Sequence, residues 1–126
     1  MYKTLETIRE KMLEAEKLSD QIARISVTYK SQNYDGMPKS GAGDAMSARM
    51  IAKEFIEKRR DVLMEEIKDL EGKSRREMAK LPAHLYIFCT YYFLAACSVA
   101  ETCRIIDRDE TTFYRYKREV KKMLGE

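Results

Sequence analysis

The sequence predicts an all-α protein, and three observations carry that expectation. Apolar residues recur at three- and four-residue steps along two long stretches, the spacing that collects them on one side of a helix. Charged residues make up 36% of the 126 residues, whereas the five glycines and two prolines fall mostly in one stretch, so nothing reads as a strand-turn-strand array. Near the C-terminus, two helix-start signals flank a short turn.

The first helix is expected from about Tyr2 to Tyr29, with Leu5, Ile8, Met12, Ala15, Leu18, Ile22 and Ile25 on one side. Its heptad character falters at Ser19 and Ser26. Packing within its own subunit and pairing with a second copy fit that pattern equally, so a homodimer stays open. Residues 30–43 are expected to form a polar loop: Gly36, Pro38, Gly41 and Gly43 are turn-prone, and Met37 precedes a proline. Its Gly-x-Gly lacks the strand and the Gly-Lys-Ser/Thr of a phosphate cradle.

A second long helix should run from Asp44 to about Leu70, with Met46, Met50, Ile51, Phe55, Ile56, Leu63, Ile67 and Leu70 on its apolar side. The two helices are expected to form an antiparallel hairpin. Glu71-Gly72-Lys73-Ser74 suits a break, and Pro82 suits the start of a core helix, Ala83 to Leu94. The expected organisation is thus a helical hairpin over 1–74, for dimerisation or partner contact. A three-helix helix-turn-helix unit follows over 75–126.

Ser98 and Glu101 form S-x-x-E, in which Ser caps a helix N-terminus and Glu reaches back toward it. Val99, Cys103, Ile105 and Ile106 should give that helix an inner side. Asp107 tolerates a left-handed turn, and Asp109 suits the cap of a following helix, Glu110 to Leu124, which Gly125 would close. Phe113, Tyr116 or the stem of Lys117, Val120 and Met123 or Leu124 should face inward. From Phe113 to Lys122 there are five cations and one anion, Glu119.

A basic C-terminal helix is commonly explained by its dipole, which favours cations there. Preceded by a capped helix and a three-residue turn, it has the form of a recognition helix in the major groove. Thr111, Tyr114, Arg115 and Arg118 are then expected near bases, and Lys117, Lys121 and Lys122 near phosphates.

The segment Ser98 to Arg115, SVAETCRIIDRDETTFYR, resembles the last domain of bacterial sigma factors. It has the Ser-x-x-Glu opening, the apolar pair Ile105-Ile106 before the turn, and Thr112-Phe113 in the second helix. Asp107 stands in place of the usual turn glycine, and Ala96 in place of a glycine that often precedes the Ser. The chain as a whole is similar to small phage regulators of the RinA/ArpU type, which join a sigma-like helix-turn-helix to a helical N-terminal half. The resemblance implies a sequence-specific DNA-binding regulator that activates phage late genes. It implies double-stranded DNA and RNA polymerase as partners, in a bacterial host cytoplasm. Two other classes remain: a phage DNA-packaging small subunit that forms rings, and a helical interaction module without DNA binding.

Enzymatic roles find no support in the residues. His84 is the lone histidine and lies beside Pro82, and no local Ser/His/Asp or Cys/His spacing suits catalysis. Cys89, Cys97 and Cys103 are spaced C-x7-C-x5-C, too wide for a zinc pair, and read as small buried hydrophobes in a reducing compartment. No catalytic residue, metal or cofactor is expected. A net charge of +3 argues against a broad nonspecific nucleic-acid coat. No export signal is visible, and the uncharged run from Leu85 to Ala100, sixteen residues, is shorter than the roughly 20 a membrane span needs.

Overall fold

The computed structural model describes residues 1–34 and 39–125, and side-chain surroundings for 1–26 and 48–125. The protein is all-α, with no strand among the described residues. Two long helices, α1 (Tyr2–Tyr34) and α2 (Lys39–Met78), form the hairpin. They are followed by α3 (Ala83–Cys89), a π-helical turn (Thr90–Leu94), α4 (Val99–Ile106) and α5 (Glu110–Leu124).

The chain divides into two compact units. One comprises Met1–Leu13 with Glu65–Glu126, the other Glu14–Met64. The expected boundary at residue 74 therefore differs from the observed grouping, because both ends of the hairpin belong with the C-terminal helices. Leu5 and Ile8 of α1 and Ile67 and Met78 of α2 are all buried within that first unit. There Lys11 bonds Glu66 at 2.6 Å across the hairpin; in the second unit Arg59 meets Glu14 at 3.3 Å. Both pairs are partly exposed and add little stability.

Both hairpin helices outrun the sequence expectation. α1 continues to Tyr34 and α2 begins at Lys39, so most of the expected 30–43 loop is helical; residues 35–38 lie outside the described residues. Nor does α2 break at 71–74. Gly72 lies on its exposed side, while Ser74 and Met78 on the opposite side are fully buried. Glycine lowers helix propensity by about 1 kcal/mol without proline's steric veto, and packing on one side outweighs it. A Cβ at Gly72 meets nothing within 4 Å. Gly72→Ala is therefore expected to stabilise the protein by about 0.5–1 kcal/mol. A urea midpoint that fails to rise would count against an unbroken helix there.

The single apolar side expected for α2 also separates into two. Leu63 and Ile67 are buried and Ile56 half-buried, whereas Met50, Ile51 and Phe55 are exposed.

The first unit is built around aromatic rings. Phe88, Phe93 and Phe113 are each fully buried. Phe113 of α5 meets Phe88 at 5.0 Å and Tyr92 at 4.9 Å between ring centroids, both edge-on. Tyr2 closes the cluster on Phe93 at 5.6 Å, and its backbone N–H donates to the carbonyl of Gly125 at 2.9 Å. The N-terminal end of α1 and the C-terminal end of α5 are thereby joined. Burial and the nearby Glu6 carboxylate push the Tyr2 phenol up to about 12.

Candidate nucleic-acid interface

Local capping chemistry defines where α4 and α5 begin. Ser98 Oγ accepts from the Glu101 N–H at 3.1 Å, and Asp109 Oδ1 from the Thr112 N–H at 2.9 Å. That backbone donation holds the Asp109 carboxyl below the usual carboxylate range, because it favours the charged form. Between the helices, Asp107 adopts the left-handed conformation at φ 54° and ψ 50°, as its place in the turn predicts. Gly125 closes α5 with φ 73°.

An L-residue in the left-handed region costs roughly 1–2 kcal/mol, less for Asp than for most. The Asp107 carboxylate also stands at the negative end of the α4 dipole. Asp107→Gly relieves both effects and is expected to raise stability by about 0.5–1 kcal/mol, after allowing for the freer unfolded chain. A lowered denaturation midpoint would refute this account of the turn.

The turn before Ser98 is also sharp. Ala96 takes φ 56°, so the chain makes a left-handed turn there without the glycine of the sigma-like pattern. Upstream, the helix widens into its π turn, where Ala95 N–H donates to Thr90 O and Cys97 N–H to Tyr91 O, each at 3.0 Å. This leaves carbonyls in need of donors, and Arg9 of α1 supplies them. Its Nη1 donates to Tyr92 O and to Cys97 O, both at 2.7 Å, while the guanidinium carbon lies 4.0 Å from the centre of the Tyr92 ring.

α4 packs by a different residue from those expected. Thr102 is fully buried and its hydroxyl donates to Ser98 O at 2.8 Å. Ile105 is 45% exposed, a correction to its expected inward position. With only eight residues, α4 turns one narrow side inward, and that side passes through Thr102. In α5, Phe113, Tyr116 and Val120 are buried as expected, and of the last pair Leu124 is half-buried while Met123 is 53% exposed.

Five of the expected contact residues share one side of α5. Thr111, Tyr114, Arg115, Arg118 and Lys122 are exposed there, at positions whose helical angles cluster opposite Phe113, Tyr116 and Val120. The Tyr114 ring leans edge-on against Phe113 at 5.0 Å, and the Arg115 guanidinium lies 5.7 Å from the Tyr116 ring. The other two lie on the flank. Lys117 is half-buried with its ammonium 5.6 Å from the Tyr92 ring, and the Lys121 ammonium is 5.8 Å from the Tyr2 ring. Glu119, the one anion of the Phe113–Lys122 stretch, turns away toward His84 of α3, at 3.9 Å. The outward side of α5 is therefore more positive than its sequence average.

No protein family, curated protein or solved structure matches the chain. The reading of the site rests on its own residues.

Two exposed cations that sequence reasoning passed over lie beside the turn. Arg104 of α4 and Arg108 line a shallow cleft with Cys103, Asp107 and Asp109. Both stand within three residues of the left-handed Asp107, outside the helical pattern of α5 from which the contact residues are read. The cysteines are poor nucleophiles: burial pushes the Cys89 thiol up to about 12 and also raises Cys97 and Cys103. Among the described residues, no three of His, Cys, Asp and Glu stand together as a metal-binding group. None of the described helices is long and apolar enough to cross a membrane.

Proposed function

We propose that this protein is a sequence-specific DNA-binding transcriptional regulator, an activator of phage late genes of the RinA/ArpU type. One observation carries the reading. Two helices with side-chain caps at Ser98 and Asp109 meet at a left-handed Asp107 turn, leaving Thr111, Tyr114, Arg115, Arg118 and Lys122 together on the outer side of the second. A helix held in this way enters the major groove with its first turns at base edges and its later cations at phosphates.

In this reading Thr111, Tyr114, Arg115 and Arg118 read bases, and Lys122 and Arg108 neutralise phosphates. Lys117 and Lys121, drawn toward Tyr92 and Tyr2, contribute from the edge. RNA polymerase is the second partner, as the sigma-like form of the segment implies. The protein binds it as an activator and does not itself open the promoter. Catalysis, metals and cofactors have no part in the proposal.

Selection from a random duplex library near physiological salt tests it, with an enriched motif as the expected result. Against the selected site, Arg115→Ala should cost about 1–3 kcal/mol and relax preference at one base pair. Lys122→Ala should weaken all duplexes alike and reduce the salt slope by about one. Equal losses from both changes on selected and random DNA would overturn the base-reading assignment.

A further inference from the structure

We propose that the second compact unit is completed by another copy of this chain, along an exposed seam on α2. Ala48, Ile51, Phe55, Lys58 and Val62 follow one another at steps of three, four, three and four residues, the a/d spacing of a coiled coil. All five are exposed, with Ile51 at 68%, Phe55 at 67% and Val62 at 56%. They lie about 100° around α2 from buried Leu63, on the side away from half-buried Lys53, Ile56 and Arg60, so packing among the described residues leaves them uncovered.

Three large apolar side chains, Ile51, Phe55 and Val62, stand uncovered on this seam, and a second hairpin laid against it removes them from water. Among the unit's described residues Ala15 and Leu63 are the buried apolar side chains, and neither lies on the seam.

The seam is complementary to itself, which identifies the occupant. The central spacing, Ile51 to Phe55 to Lys58 to Val62, reads four, three, four in either direction. A two-fold axis between Ile56 and Glu57 therefore sets Ile51 against Val62 of the other copy, and Phe55 against Lys58. The four-carbon stem of lysine covers an aromatic ring while its ammonium stays wet or lies over the ring. A parallel pairing would instead place Lys58 against Lys58. The antiparallel arrangement follows. This inference does not depend on DNA binding, and the dimer forms without DNA.

Sedimentation of the full chain without DNA, up to about 100 μM, is the test. The expected mass is twice the 14.8 kDa of one chain. Phe55→Glu should give monomers with unchanged helical circular dichroism, because the ring is exposed within one copy. Lys58→Leu, which completes the apolar seam, should tighten the dimer by about tenfold or more. Three results would overturn the proposal: wild-type monomers throughout that range, a dimer that survives Phe55→Glu, or an assembly of eight or more copies.

Discussion

Phe113→Ala is expected to destabilise the first unit by about 3–5 kcal/mol, a large share of the 5–15 kcal/mol typical of a folded domain. Phe113 is fully buried, and its ring is wedged between Phe88 and Tyr92. Truncation removes the transfer free energy of the ring and leaves a cavity, and both edge-on contacts disappear. The cavity would lie where α5 meets α3, so the outer side of α5 loses its support as well. Phe113→Leu retains most of the volume and should cost far less. Urea unfolding followed by circular dichroism measures the difference. A loss below about 1 kcal/mol for the alanine variant would mean that α5 is not held by this cluster.

Arg9→Met is the second large effect. The substitution keeps an apolar stem of similar length and removes the guanidinium. Tyr92 O and Cys97 O then lose their donor, and the stacking on Tyr92 is lost. An acceptor stranded away from water costs about 1–3 kcal/mol, so two part-buried carbonyls give an expected loss of about 2–4 kcal/mol. Arg9→Lys keeps a charge and several donors but not the planar stack, and should fall between. Amide exchange gives a local readout. The Cys97 N–H should exchange faster in Arg9→Met, because its acceptor, Tyr91 O, lies in a π turn that is no longer clamped. If exchange at 95–97 is unchanged, Arg9 merely rests on the ring.

The two effects differ in how visible they were beforehand. Phe113 falls on the inward side of a regular helical pattern, so its burial is legible from spacing. Arg9 looks like any charged residue on the polar side of a long amphipathic helix. Its partners are 83 and 88 residues away, and no local pattern announces carbonyls freed by a π turn.

The sequence alone determined the helical class, the start of α3 after Pro82, and the paired caps that open α4 and α5. Those features arise within a few residues: a side-chain oxygen reaching an N–H three positions on, a proline lacking a donor, an aspartate tolerating a left-handed turn. The basic side of α5 was legible for the same reason, since helical angle follows from spacing. Tertiary structure alone decided which apolar residues are used. Packing carried α2 across Gly72, divided its apolar residues between buried Leu63 and exposed Phe55, and put Thr102 rather than Ile105 inside. It also drew Lys117 and Lys121 toward tyrosines from other elements and turned Glu119 toward α3. Apolar periodicity says that a side will be covered, but the covering surface comes from distant chain, and only the folded arrangement selects it.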